Sequence, residues 1–183
     1  LLDATPEHAK QLVLDYPILT NDELARIKNI HRGNNIGKAV TISCLYRVDN
    51  GASALESRLS EMAQEIDAAL DDGATFIILS DRDSNRELAP IPSLLSISAM
   101  HHHLIRKGTR SRAGIVVECG DARDVHHMAT LIGFGASGIN PYLALETAED
   151  MVIRGLIEGI TPERSSKNMV KALGKGVLKI MSK

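Results

Sequence analysis

The sequence predicts an α/β fold with a parallel sheet of about four βα units, half-barrel-like or open doubly wound, with a short helical arm before it and a basic amphipathic helix after it. Three observations carry this. Short apolar runs alternate with longer stretches of helical periodicity, the order expected of strands and crossover helices. The runs at 75–79 and 114–119 are almost continuously apolar, as strands covered on both faces must be. The 183 residues are 44% hydrophobic but only 3% aromatic, enough for one aliphatic core without disulfide or metal staples.

The arm, 1–36, contains Pro17 between two short amphipathic segments. Thr20, Asn21 or Asp22 is placed to cap the second segment, with Glu23 near the positive end of its dipole. The polar hinge 31–37 then leads into the α/β body, 37–160. The first strand is expected over 39–46. After the Asn50-Gly51 turn, Ser53-Ala54-Leu55-Glu56 has the spacing of a capping box, and Leu55, Leu59, Met62, Ile66 and Leu70 form one helical face ended by Gly73. Asp81-Arg82-Asp83 lies at the carboxyl end of the second strand. A loop bounded by Pro90 and Pro92 introduces a helix over 93–106, closed by Gly108, and the third strand follows at 114–119. Asp121 is placed to cap a helix with Ala122, Val125, Ala129 and Ile132 on its apolar face. A short strand at 137–140 and a helix at 143–157 complete the body. The last segment, 161–183, opens with Thr161-Pro162-Glu163: a cap, a proline suited to the first turn, and an acid where the dipole favours it. Lys167, Lys171, Lys175, Lys179 and Lys183 recur at every fourth position, opposite Met169, Val170, Leu173, Val177, Ile180 and Met181. That stripe reads as the solvated side of a helix crossing a domain boundary.

The charge balance, 21 basic against 23 acidic residues, gives no general attraction to nucleic acid, and the lack of Trp leaves few platforms for stacking bases. No apolar run is long enough to span a bilayer, and Leu1-Leu2-Asp3-Ala4 lacks the pattern of a signal peptide. A cytoplasmic protein without nucleic-acid or membrane partners is expected. The first residue is not Met and the last residues continue a helical pattern, so the chain is expected to be a piece of a larger polypeptide.

Gly133-Phe134-Gly135-Ala136-Ser137-Gly138 matches the dinucleotide fingerprint in letters but follows a helical run and precedes a strand, the reverse of what phosphate binding at a helix N-terminus needs. It reads as a helix-to-strand turn. Two or three of His101-His102-His103 and His126-His127 could meet a metal if their helices were neighbours, but consecutive histidines fan out around a helix and cannot all point to one ion, so core or interface histidines are the expectation. Cys44 and Cys119 show no Cys-x-x-Cys spacing; Cys119, near a helix start, has the better location for a reactive thiol, but a buried structural cysteine is the expectation. Ligands of parallel α/β folds bind outside the carboxyl ends of the strands, which makes Asp81, Arg82, Asp83, Glu118, Asp121, Asn140 and Tyr142 candidates by position.

The stretches His101-His102-His103-Leu104-Ile105-Arg106, 115–127, Gly133-Phe134-Gly135-Ala136 and Ile139-Asn140-Pro141-Tyr142-Leu143-Ala144 closely resemble the central domain of glutamate synthase large subunits. Pro17-Ile18-Leu19-Thr20-Asn21, Ile78-Leu79-Ser80-Asp81-Arg82 and the last five residues fit the same family, in order along nearly the whole chain. The resemblance implies a multidomain oxidoreductase that makes two glutamates from glutamine and 2-oxoglutarate. Its amino-terminal glutaminase domain and its FMN domain are the chain's expected partners within one polypeptide, with a small reductase subunit as a further partner of the parent. FMN and an iron-sulfur cluster belong to that parent; no catalytic residue, cofactor or metal ligand is expected in this chain. NADPH is the expected reductant, since the wording is closer to the bacterial pyridine-nucleotide type. Thr20 and Asn21 match the tunnel-mouth segment, which implies a place in the wall of the ammonia tunnel, although the same residues can also cap a helix. The competing reading is a stand-alone enzyme or regulatory binding module that uses the strand-end residues Asp81, Arg82, Glu118, Asp121, Asn140 and Tyr142.

Overall fold

The computed structural model describes residues 12–30 and 37–183; the sequence readings on 1–11 and on most of the hinge, 31–36, lie outside them. In chain order the elements are α1 (Asn21–Lys28), β1 (Ala39–Ser43), β2 (Leu45–Arg47), α2 (Ala54–Asp71), β3 (Phe76–Ser80), β4 (Leu88–Pro90), α3 (Ser93–Arg106), β5 (Gly114–Glu118), α4 (Val125–Gly133), β6 (Gly138–Asn140), α5 (Tyr142–Ile153) and α6 (Pro162–Met181).

The four-stranded sheet is parallel throughout, in the order β1-β3-β5-β6. Each crossover moves one strand further in the same direction. A doubly wound sheet reverses its order at a switch point, and this one does not, so of the two architectures expected the half-barrel is the one formed. Alternate side chains of the strands divide between the two faces. Ile77, Leu79, Ile115 and Val117 point into the main core with Met62 and Ile66 of α2, Ile97 and Leu104 of α3, and Met128 and Leu131 of α4. Each of these side chains is almost fully buried, and burial of one is worth about 1.5–3 kcal/mol. Ile78 and Val116 point the other way, against Leu19, Leu24 and Ile27 of the arm. Helix α1 therefore fills the concave face that a closed barrel would line with its remaining strands.

The arm also extends the sheet. Ile18 bridges to Ile139 in parallel, with Leu19 N–H donating to Ile139 O at 2.7 Å and Ile139 N–H to Pro17 O at 2.8 Å. On the far side α6 packs on α4 and α5 through Val170, Leu173 and Val177, which belong to the main core, while Lys167, Lys171, Lys175 and Lys179 stay exposed. Gly174 and Gly176, unfavourable in a helix by themselves, are required by packing: a Cβ would strike the Tyr16 ring at the first and Val125 at the second.

Three local expectations are corrected. The run 39–46 is not one strand. It breaks at Cys44, whose N–H bonds Ser80 O and whose carbonyl accepts from Ile91 N–H, and β2 turns away to pair antiparallel with β4. Ser53 makes no capping bond, because its backbone is already in the right-handed helical region and not in the extended one from which a cap side chain reaches back. The helix after β5 begins at Val125 under Asp124, not under Asp121, and it buries Met128 and Leu131. The reading of 133–138 as a helix-to-strand turn holds, with Gly135 at φ +106.

Candidate functional site

At the carboxyl edge of the sheet the register aligns Ser43, Ser80, Glu118 and Asn140 in one row. Glu118 lies two residues beyond Val116 and so shares the face covered by α1. Only 2% of it is exposed, and it is held from two sides: Lys28 Nζ, in the last turn of α1, donates to Oε2 at 2.8 Å, and Arg82 Nε donates to Oε1 at 2.8 Å. Burial alone would push this carboxyl up. The hydrogen bonds from Lys28, Ser80 and Arg82, together with the Lys28 charge, outweigh burial and hold it below the usual carboxylate range.

Arg82 continues the network. A terminal nitrogen donates to Glu146 Oε1 at 2.9 Å, and the guanidinium carbon lies 4.0 Å from the centroid of the Tyr142 ring. Tyr142 and Glu146 stand four residues apart on α5 and so share one face, with Arg82 against both. The Tyr142 hydroxyl faces Asp81 and helps set its titration, and the two Asp81 oxygens accept the Gly120 N–H at 3.1 and 2.9 Å. A Cβ at Gly120 would come within 3.0 Å of that hydroxyl, which accounts for the glycine. Burial raises the Asp81 carboxyl and the Tyr142 phenol above their ordinary values.

Asn140 and Asn21 form the third part. Asn140 Nδ2 donates to Leu19 O at 3.0 Å and to Asn21 Oδ1 at 2.9 Å, and Asn21 Nδ2 donates to Glu146 Oε1 at 3.3 Å. Thr20 is the residue that caps α1, in a reciprocal capping box with Glu23. Asn21 makes no cap bond; its side chain reaches the sheet edge instead. Both residues line a cleft of about 320 Å³ between the start of α1, Leu145 and Glu149 of α5, and Ser166 and Lys167 of α6.

Of the strand-end candidates, the structure brings together Arg82 with Glu118, Asp81 with Tyr142, and Asn140 with Asn21. Asp121 stands apart, accepting the Ser93 N–H at 3.0 Å and the Ser93 hydroxyl at 2.6 Å, and so caps α3. Asp83, at φ +70, sits in the exposed turn after β3 and joins none of these pairs. Lys28, Glu146 and Ser80 were not singled out from the sequence. The i, i+4 spacing of Tyr142 and Glu146 is the one signal that could have found any of them. Among the described residues no group of three or more His, Cys, Asp or Glu can hold a metal. The three neighbouring histidines go separate ways: His101 to Arg110, His102 to Ser98 O, His103 to Asp67. Burial pushes the Cys44 thiol up to about 12 and the Cys119 thiol higher still, so neither is an activated nucleophile. What remains is a set of ion pairs and side-chain amide hydrogen bonds, suited to holding α1 and the arm on the sheet.

A family model described as "Glutamate synthase central domain" matches residues 1–183. Among curated relatives, the large chain of glutamate synthase (NADPH) from Bacillus subtilis is 39% identical over 183 residues, which is 100% of this chain and 12% of that protein. Glutamate synthase (NADH) from Schizosaccharomyces pombe is 37% identical over 184 residues, again 100% of this chain and 9% of that one. The chloroplastic ferredoxin-dependent glutamate synthase of Spinacia oleracea is 36% identical over 197 residues, 100% and 12%. The chain thus spans about a tenth of the length of these relatives. Among solved structures, a flavocytochrome b2 mutant with benzoylformate is similar with a TM-score of 0.57 over 86% of this chain and 33% of that one, at 11% identity, a likeness of fold alone.

Proposed function

Because the chain belongs to the glutamate synthase central domain family, we propose that it connects the glutaminase and FMN domains of a cytoplasmic glutamate synthase large chain and forms part of the wall of the ammonia tunnel between them. In this reading the arm (1–36), the α/β body (37–160) and the last helix (161–183) are its working parts. The parent reaction converts L-glutamine, 2-oxoglutarate, two electrons and two protons into two L-glutamates. Relatives named for NADPH, NADH and ferredoxin match this chain about equally well. NADPH, delivered through a small reductase subunit, is our choice among the three.

The observation that carries the tunnel assignment is the position of Thr20 and Asn21 on the 320 Å³ cleft, braced from the sheet edge. A channel for ammonia has to pass a small neutral molecule and keep bulk water out. The Thr20 hydroxyl and the Asn21 carboxamide suit that task at their part of the wall, since they exchange hydrogen bonds with ammonia without charge, while Asp22, Glu149, Glu163 and Lys167 line the rest of the cleft. FMN does not fit the described residues of this chain: α1 fills the concave face, and Lys28 and Arg82 are both committed to Glu118. A four-thiolate iron-sulfur cluster does not fit two cysteines. Both cofactors are assigned to other parts of the parent polypeptide.

The test is stoichiometric. In the full-length enzyme, Thr20→Val and Asn21→Ala are expected to raise the glutamine hydrolysed per 2-oxoglutarate converted, as ammonia escapes before it is used. An unchanged ratio in both variants would remove the tunnel assignment. The stand-alone enzyme reading has less support, because the strand-end carboxylates and Arg82 are spent on one another and on α1.

A further inference from the structure

Asn140 is fully buried at the end of β6, and the orientation of its amide is dictated by its surroundings. Leu19 O can only accept, so Nδ2 must face the arm. Asn21 Oδ1 is fixed in turn, because Asn21 Nδ2 is directed at the Glu146 carboxylate. This leaves Asn140 Oδ1 buried, with no hydrogen-bond partner among the described residues. An amide with an unfilled acceptor is a poorer core residue than an apolar one of similar size, so packing alone gives no reason for it here. Its two donated bonds hold the residues on either side of Thr20: the backbone of Leu19 and the side chain of Asn21. The bridge between Ile18 and Ile139 anchors the arm only as far as Leu19, and Asn140, the next residue on β6, extends that hold across the cleft-lining pair.

We propose that Asn140 is a positioning residue for ammonia transfer, setting Thr20 and Asn21 in the cleft wall through its bonds to Leu19 and Asn21. This rests on the tunnel reading above. It adds a residue that does not itself line the cleft, on an element more than a hundred positions away in the chain.

The experiment uses the full-length enzyme and measures glutamine hydrolysed per 2-oxoglutarate converted, the rate with ammonium salt supplied directly, and the melting temperature. Asn140→Ala is expected to raise the hydrolysis ratio about two-fold or more while the ammonium-dependent rate stays near that of the parent. In an Asn21→Ala background the same substitution should add nothing further, since the two residues act as a unit. A parental ratio in Asn140→Ala beside a raised one in Asn21→Ala would overturn the role of Asn140 and leave the tunnel standing. Parental ratios in Asn140→Ala, Asn21→Ala and Thr20→Val together would remove the tunnel and this proposal with it. A lower melting temperature with both rates reduced in proportion would show a purely structural residue and count against it. Should Asn140→Ala fail to fold, Asn140→Leu, which keeps the volume and removes both donated bonds, is read by the same ratios.

Discussion

Glu118 is the most deeply buried carboxylate at the strand ends, and its two cationic partners keep about a third of their surface in water. Removing one partner leaves the other pair intact but strips a charge-assisted bond from a buried group. Lys28→Met is therefore expected to cost about 1–2 kcal/mol at neutral pH, less than for a fully buried pair because Lys28 is partly solvated. The folded Glu118 titrates below its ordinary value of 4.5, so its contribution is complete above that value and disappears as the pH falls through the depressed one. Thermal melts of the two proteins should converge in acid; a gap independent of pH would mean that Lys28 acts by packing. At this scale the sequence pointed to Glu118, Arg82 and Asn140 through their place after apolar strands. It could not pair them, since Lys28 and Glu146 come from elements far away in the chain. Asp121 shows the same limit: an acid just before a periodic run looks like its cap, yet its partner, Ser93, lies 28 residues upstream.

Among the elements, the joint between α3, the turn before β5 and the end of α4 is built on an unusual pair. Arg110 has no carboxylate partner among the described residues; it donates from Nε to His101 Nδ1 at 2.9 Å and from its terminal nitrogens to Ala113 O and Gly135 O. The imidazole must then be neutral, with its proton on Nε2. Burial first, then the Arg110 charge and His102, holds its titration below 6.5. The unfolded chain thus takes up a proton that the folded one refuses, so the stability from the neutral ring is present above pH 6.5 and is lost as the pH falls below it. Between about pH 7.5 and about pH 5.5 the wild type is expected to lose more melting temperature than His101→Asn, whose amide can still accept from Arg110. Equal losses would exclude His101 as the source. Gly135 belongs to this joint as well, since a Cβ there would run into the His101 ring. The glycine-rich hexapeptide was legible as a turn from the order of its neighbours. The break at Cys44 was not, because it depends on the pairing of β2 with β4, which no local pattern announces.

At the scale of the whole chain, the described residues form half of a barrel, with the short helix α1 where the other half would lie. Four βα repeats were readable from alternating apolar runs, but the choice between half-barrel and doubly wound sheet was not, because it depends on strand order. With α1 seated on Ile78 and Val116, the chain offers flavin no concave surface among its described residues. Titrated with FMN, the purified chain is expected to leave the flavin fluorescence unchanged; saturable quenching, or a yellow protein that survives desalting, would reveal a site. The parallel bridge of the arm to β6 has a consequence in time. Leu19 and Asn140 are separated by 121 positions, so the first described segment can be seated only after nearly all the sheet has been made. As a ribosome delivers these elements in order, α1 can settle on Ile78 and Val116 once β3 and β5 are made, but the stretch at Ile18 and Leu19 has to wait for β6. The bond that holds the finished arm in place therefore also dates it: a stretch that comes before every strand of the sheet in the chain is among the last to find its seat.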